Sequence, residues 1–201
     1  MRKTIPMLSA ALLLSVGLVP AADAFTLSVV PQSSAVGVGG TVSVDVVASD
    51  LAGGAAPSLG AYDLDLSFDP SLLSFSNISF GTGLSVTGVE GIQGSDLGTG
   101  VINPFEVSFE DTVDLNALQA DAFTLFTITF NAASAGTSLL SLSVNALSSA
   151  DTVTPLTADV LNGASVTVTG APAVPLPAAG WLLISGLAST GLFGRRRVAV
   201  A

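Results

Sequence analysis

The 201-residue chain has no cysteine and no histidine, and it has only one tryptophan and one tyrosine. Its five basic residues all lie at the two ends, so residues 4–194 contain no lysine and no arginine. Disulfide bonds and thiol chemistry are therefore excluded, as is the usual pairing of a nucleophile with a histidine or lysine base. We expect no catalytic residues and predict that the protein is not an enzyme.

The section between the ends is strongly acidic. Of the 15 acidic residues, all but Asp23 lie between residues 25 and 170, where no basic residue compensates them. Such a surface cannot neutralise phosphate groups, and anionic lipid headgroups would repel it. Nucleic acid is therefore excluded as a partner. This section has about the length of one ordinary domain.

The N-terminus has the three parts of a secretory signal peptide. A basic pair precedes an apolar run over residues 7–19, and Ala22 and Ala24 place small side chains where a signal peptidase requires them. We therefore predict a signal peptide over residues 1–24, with Phe25 as the first residue of the mature protein. The alternative is an uncleaved anchor helix, which the short apolar run disfavours.

The C-terminus combines a proline-containing segment, an apolar run and a basic tail. We predict a linker and sorting motif over residues 170–177, a transmembrane helix over residues 178–194 and a cytoplasmic tail over residues 195–201. Arginines directly after an apolar helix stop translocation and stay on the cytoplasmic side. The residues concerned are Val174, Pro175, Leu176 and Pro177 in the motif, and Arg195, Arg196 and Arg197 in the stop-transfer cluster.

This ending resembles the PEP-CTERM sorting signal. It departs from the usual motif at Leu176, which stands where the family has a glutamate and gives the variant form Val-Pro-Leu-Pro-Ala. The resemblance implies a membrane-embedded exosortase as processing enzyme and at least transient anchoring in the inner membrane. It also implies delivery to the cell surface or extracellular matrix of a Gram-negative bacterium. A plain anchor that is never cut is the alternative.

Residues 25–169 carry apolar side chains at every second position over several runs, which predicts β-strands. Turn clusters rich in glycine, proline and aspartate separate about nine such runs. We therefore predict an all-β antiparallel sandwich of jelly-roll type with about nine strands. The clearest runs are 42–46, 62–68, 126–130 and 140–144.

Two further segments bear on the predicted fold. Residues 114–119 are expected to form a single helical turn, because the chain has no longer amphipathic helical pattern. Residues 88–100 contain many glycines but no lysine and no following helix, so they do not fit a phosphate-binding loop. We interpret this segment as a mobile surface loop.

Three stretches within the predicted sandwich resemble a cohesin domain. Residues 36–46 combine glycines with alternating valines, residues 60–73 contain Tyr-Asp-Leu-Asp-Leu-Ser-Phe-Asp-Pro, and residues 123–136 carry alternating apolar residues followed by Ala-Gly. The resemblance implies a cohesin-like sandwich, a fold shared with certain carbohydrate-binding modules. It also implies contact with a partner protein through one sheet face, as cohesins bind dockerins. No dockerin-contacting residue can be matched by position.

Some acidic residues suggest chemistry that would compete with this interpretation. Asp63 and Asp65 stand two apart on a strand and so share one face, and Glu106 and Glu110 follow on a later segment. Glycosidases use paired carboxylates as acid and base, which makes a glycosidase the less favoured alternative. We interpret these residues instead as parts of solvated strand faces, because a sugar cleft is usually lined by aromatic residues.

Carboxylates could also bind calcium, because calcium takes oxygen ligands. No calcium-binding sequence motif is present, so a structural calcium ion is an open alternative and its ligands are unknown. The acidic residues at predicted loops or strand ends are Asp69, Asp96, Glu110, Asp111 and Asp114.

Taken together, these patterns indicate an exported, non-catalytic surface or matrix protein. Its sandwich would contact another surface protein or an exopolysaccharide. The alternative is a carbohydrate-binding module, which the fold resemblance favours and the lack of tryptophan and tyrosine disfavours. An exposed row of phenylalanines on one sheet face would favour that alternative.

Replacing residues 174–177 with glycine and serine tests the sorting hypothesis. Because proline holds an extended segment in front of the helix, we expect the variant to be exported and inserted but to stay full-length in the inner membrane. Removing residues 195–197 should instead weaken retention and orientation. Cell fractionation with mass spectrometry of the C-terminus measures both effects. Wild-type surface protein that still carries residues 181–197 would show a permanent anchor instead.

Overall fold

The computed structural model describes residues 24–51, 54, 57–151, 156–170 and 187. The signal peptide before Ala24, the sorting motif, the arginine cluster and nearly all of the predicted transmembrane helix lie outside the described residues. Among the residues that are described, no helix is both long enough and apolar enough to cross a membrane.

The described residues form eleven strands and one helix, arranged as two sheets packed face to face. The strands are β1 (Ala24–Pro31), β2 (Ala35–Gly37), β3 (Thr41–Ser49), β4 (Leu59–Ser67), β5 (Leu73–Phe80), β6 (Ile92–Gly98), β7 (Val101–Val107), β8 (Phe123–Ala132), β9 (Gly136–Ser149), β10 (Thr157–Asn162) and β11 (Ala164–Thr169), and the helix is α1 (Thr112–Leu118). The five-stranded sheet has the order β10-β1-β3-β8-β5, and the six-stranded sheet has the order β2-β11-β9-β4-β7-β6.

The core lies between the two sheets, and the alternation of the strands builds it. In β3 the valines at 42, 44 and 46 are buried while the intervening residues are partly exposed. Strand β4 repeats the pattern with Tyr62, Leu64 and Leu66 inside, and β8 contributes Phe126, Ile128 and Phe130. Successive side chains of a strand point to opposite faces, so this pattern dictates which face each strand buries.

Two strand pairs close one side of the sandwich. β1 continues into β2 and β10 continues into β11, and in both cases the chain passes from the five-stranded to the six-stranded sheet. The pairs β1–β10 and β2–β11 run parallel, whereas all other pairs are antiparallel. The predicted all-β sandwich is therefore confirmed, with two parallel pairs added.

The pairing defines two ends of the sandwich. At one end, which we call the helix end, β1 begins opposite the end of β3, and the loops after β5, β7 and β9 and the helix α1 lie there. At the other end β11 finishes at Thr169, paired with Gly37. The two chain termini of the domain therefore leave it from opposite ends.

Three predictions about local structure differ from what the structure shows. Most of the glycine-rich segment 88–100 is the edge strand β6 rather than a loop, because β6 pairs along β7. Gly94 permits this, since a Cβ atom there would come within 2.4 Å of the Phe105 ring that covers it. The helical turn expected over residues 114–119 belongs to α1, which begins earlier, at Thr112, and ends at Leu118. The described residues form eleven strands rather than about nine.

A buried side-chain amide holds α1 against the sheet. Gln119, directly after α1, accepts a hydrogen bond from the Leu59 amide at 2.7 Å and donates to the Leu59 carbonyl at 2.9 Å and to the Gly83 carbonyl at 3.0 Å. The Gln119 amide thereby extends the pairing of β4 at its first residue. The helix also docks through its buried Leu115 and through Asn116, whose Oδ1 atom accepts hydrogen bonds from the Ser58 amide at 3.3 Å and hydroxyl at 2.6 Å.

Replacing Gln119 with leucine should destabilise the fold by about 2–4 kcal/mol, because the substitution removes the partner of two buried backbone groups of Leu59 and of the half-buried Gly83 carbonyl. Urea denaturation measures the change. Gln32→Leu is the matched control, since Gln32 is exposed and makes one long contact of 3.5 Å to Asp45; it should stay within about 0.5 kcal/mol of wild type. Equal effects of the two substitutions would contradict this role of Gln119.

Candidate functional site

The outer face of the six-stranded sheet carries the side chains that β4, β7 and β9 turn away from the core. On β4 these are Ala61, Asp63 and Asp65, which alternate with the buried Tyr62 and Leu64. The register places Ala61 opposite Val107, and Asp63 opposite Phe105 on β7 and Ala146 on β9. We refer to this surface as the outer face.

A cluster of carboxylates and amides occupies the centre of the outer face. The Asn103 Nδ2 atom lies 2.6 Å from Asp63 Oδ1 and 3.0 Å from both Asp65 Oδ1 and the Leu64 carbonyl oxygen. Asn145 Nδ2 donates to Asp63 Oδ1 at 3.0 Å. The prediction that Asp63 and Asp65 share one face is therefore correct. Two neutral asparagines, rather than cations, hold these carboxylates in place.

The hydrogen bonds leave part of each carboxylate available. Within the described part of the chain, both contacts to Asp63 and the contact to Asp65 use the Oδ1 atoms, and the Oδ2 atoms have no hydrogen bond. A fixed carboxylate with a free oxygen is a strong acceptor for a charged or hydroxyl donor. The cluster is thus a preorganised acceptor site on a flat sheet.

An apolar depression of about 190 Å³ lies beside this cluster. Ala61 provides little bulk at its centre, and Phe105 and Val107 line one side while Ala146 and Leu147 line the other. A separate depression of about 130 Å³ shares Ala61, Val107 and Ser148 with it and lies past Gly60 toward the helix end. A protruding apolar side chain could enter this depression while polar groups contact Asp63.

Glu106 contradicts the interpretation of the acidic residues as solvated strand faces. Its side chain points inward and is only 1% exposed. Gln93 Nε2 donates to Glu106 Oε1 at 2.8 Å, and the Tyr62 hydroxyl lies 3.0 Å from Glu106 Oε2. Burial raises the pKa of Glu106 and also raises that of Tyr62. The side chains of β7 alternate, and Ile102, Pro104 and Glu106 are the ones that point inward. The alternation of the strand therefore places the Glu106 carboxyl group in the interior.

The glycosidase alternative fails on this geometry. Asp63 and Asp65 lie on the outer face and Glu106 lies on the inner face, so the sheet separates the two sets of carboxylates. Glu110 lies beyond the end of β7, and its carboxylate accepts hydrogen bonds from the amide and hydroxyl of Thr87 at 2.7 and 2.6 Å. These bonds lower the pKa of Glu110 and hold the loop before β6.

The acidic residues considered for calcium do not converge. Within the described residues, no group of three or more carboxylate, histidine or cysteine side chains is placed to hold a metal ion. Asp69 instead accepts hydrogen bonds from the Ser71 amide at 2.9 Å and hydroxyl at 2.6 Å, which lower its pKa and shape the turn before β5.

The observation that would favour a carbohydrate-binding module is not found in the described residues. Phe105 is half-buried beside the depression, and Phe109, which is exposed, lies at the helix end rather than on a sheet face. The single tyrosine, Tyr62, is buried. The described sheet faces thus present no row of aromatic rings on which sugars could stack.

Sequence reasoning missed the neutral partners of the site. Asn103 and Asn145 are far from Asp63 in sequence, and only the register of β7 and β9 against β4 brings the three together. The one signal in the sequence is the alternation of β7, which places Asn103 and Phe105 on the same side. The sequence does not give the register of β7 against β4, so it does not show that this side of β7 lies next to Asp63 and Asp65.

The buried Glu106 predicts a definite dependence of stability on pH. Because burial raises its pKa in the folded state, the folded protein binds more protons there than the unfolded chain does. The free energy of unfolding should therefore fall as the pH rises above the ordinary glutamate value of about 4.3. Glu106→Gln keeps the hydrogen-bonding shape without the charge, so it should remove this slope and be more stable than wild type at neutral pH.

Glu110→Gln is the control of opposite sign for this experiment. The pKa of the Glu110 carboxyl group is lowered in the folded state. Its contribution to the free energy of unfolding is therefore present above the ordinary glutamate pKa and is lost as the pH falls through the lowered pKa. This variant should be less stable than wild type at neutral pH. Thermal melting across the pH range measures both variants. A Glu106→Gln curve parallel to that of wild type would contradict the assignment.

Solved structures share this fold at low sequence identity. The sixth cohesin of scaffoldin B from Acetivibrio cellulolyticus, solved in complex with a Cel5 dockerin, is 18% identical with a TM-score of 0.57, covering 73% of this chain and 99% of that one. CaCohA2 from Clostridium acetobutylicum is 23% identical with a TM-score of 0.56, covering 73% and 92%. The cohesin module of a Clostridium perfringens family 33 glycoside hydrolase is 11% identical with a TM-score of 0.56, covering 74% and 99%.

In sequence, no curated protein matches the chain. The family model of the cohesin domain does match, over residues 27–168. That range includes nearly all of both sheets and every residue of the outer face described above. The chain therefore belongs to the cohesin domain family.

Proposed function

We propose that this chain is an exported surface protein that binds a partner protein on the outer face of the six-stranded sheet. Cohesin domains are non-catalytic interaction modules that bind dockerin partner proteins, and they are typically extracellular or on the cell surface. The observation that carries the proposal is the pairing of a hydrogen-bonded carboxylate cluster with an adjoining apolar depression on one sheet face.

The chemistry of the outer face indicates what the partner presents. The free oxygens of Asp63 and Asp65 can accept further hydrogen bonds, and the described residues contain no cation to supply one. We therefore infer that the partner contributes lysine, arginine or hydroxyl groups to the cluster and one apolar side chain to the depression beside Ala61. A dockerin-like module is the class of partner that the family suggests.

A protein partner fits the outer face better than an exopolysaccharide. Sugar rings normally bind by stacking on exposed aromatic rings, and Phe105 is half-buried in the wall of the depression. Small neutral side chains such as Ala61 and Ala146 instead permit close approach of a helix or strand. Contact with an exopolysaccharide is therefore the second candidate.

We further propose that the tail delivers this domain to its site of action. The signal peptide would export the chain, and the tail of residues 170–201 would hold it in the inner membrane until an exosortase processes it. The result would be a protein of the cell surface or extracellular matrix. Support comes from the sequence pattern of the tail and from the usual extracellular location of cohesin domains.

Ala61→Arg tests the binding face, because a long cation would fill the depression and compete for Asp63. We expect it to reduce partner binding at least about tenfold without unfolding the protein. Ser79→Arg is the matched control, since Ser79 is exposed on β5 of the other sheet; it should bind as wild type does. The two side chains carry the same charge change to opposite sides of the sandwich.

The measurement starts from tagged full-length protein expressed in its own host. Proteins cross-linked to it at the cell surface are identified by mass spectrometry, and affinity for the purified partner is then measured for each variant. Equal affinity of the wild type and Ala61→Arg would exclude the outer face. Loss of binding in Ser79→Arg alone would place the site on the five-stranded sheet.

A further inference from the structure

The helix end exposes apolar side chains that the fold does not use. Val113 is 77% exposed and Leu118 is 57% exposed, although both belong to α1. A surface helix normally turns its apolar residues toward the core, but here Leu115 is the buried residue of the helix. Val113 and Leu118 are five residues apart, so they lie on different sides of the helix, and of the two only Leu118 lines a neighbouring groove.

A groove of about 480 Å³ adjoins Leu118. Its other walls come from the loop after β5, including Val86, and from Phe123 at the start of β8. The Phe123 ring packs directly over Gly83, where a Cβ atom would come within 2.0 Å of it. Gln119 donates a hydrogen bond to the Gly83 carbonyl, which ties the loop wall to the helix wall. The groove is therefore preformed.

The charge around this groove restricts its occupant. Half of the acidic residues between 25 and 170 lie in the loops and helix at the helix end, and the described residues contain no lysine, arginine or histidine. The described part of a second copy and an anionic membrane would both be repelled. The acidic residues at this end are Asp50, Glu90, Glu110, Asp111, Asp114, Asp121 and Asp151.

We propose that the helix end is a second docking surface, which binds a basic amphipathic segment of another protein. The apolar side of that segment would lie in the groove against Leu118, and its lysines or arginines would face the carboxylates of the helix end. No residue that lines the groove also lines the depression beside Asp63. The proposal therefore goes beyond the proposed function and does not depend on it.

A designed peptide of lysine and leucine, with the leucines at helical spacing, is the probe. Binding to the full-length protein is measured by fluorescence anisotropy. The control peptide has the same composition in an order without an apolar face. We expect the amphipathic peptide to bind at least about tenfold more tightly than the control peptide, and the difference to persist when salt weakens both.

Protein variants locate the bound peptide. Leu118→Ser should weaken binding at least about tenfold, and this position is exposed enough to leave the fold intact. Val113→Ser, on another side of the same helix, is the matched control and should bind as wild type does. Leu139→Ser, at a similarly exposed position on the outer face, should also bind as wild type does. Equal binding of the two peptides, or of Leu118→Ser and wild type, would show only general attraction to an acidic protein and would overturn the proposal.

Discussion

The sandwich must hold its carboxylates without any counter-charge, and this constraint shapes both its interior and its surface. No lysine, arginine or histidine lies between residues 4 and 194, so no ion pair can form inside the domain. Neutral side chains donate hydrogen bonds to the carboxylates instead: two asparagines to Asp63, a tyrosine and a glutamine to Glu106, and a threonine to Glu110. Hydrogen bonds orient these groups but leave the net negative charge in place. This uncompensated negative charge can attract a positively charged partner at the surface.

Strand β4 connects this constraint with the binding face. Its inward side chains fill the core and, through the Tyr62 hydroxyl, contact Glu106, while its outward side chains form the carboxylate cluster and the centre of the depression. Because it pairs with β7 on one side and β9 on the other, β4 fixes where Asn103 and Asn145 lie. The geometry of the outer face therefore rests on the same pairing that closes the core, which favours a rigid binding surface.

The fold was largely predictable from alternation, whereas the site was not. The runs at 42–46 and 62–68 predicted β3 and β4 and their buried faces, because a pleated strand has a strict period of two. β6 was missed because its glycines are usually turn residues, and only the Phe105 ring explains Gly94. Glu106 was misassigned because its partners, Tyr62 and Gln93, depend on strand register. The signal peptide and sorting tail stay predictions, since they lie outside the described residues.

A partner that binds the outer face would contact the carboxylates held by Asn103 and Asn145. The side-chain amides of these two asparagines therefore report directly on binding there. Nuclear magnetic resonance of the ¹⁵N-labelled protein, titrated with the partner captured at the cell surface, would follow both amides. The account predicts that their signals shift, because donors from the partner would compete for the carboxylates that they hold. The exposed Asn77 and Asn131 of the five-stranded sheet should not shift. Shifts at Asn77 and Asn131, with none at Asn103 and Asn145, would contradict the account.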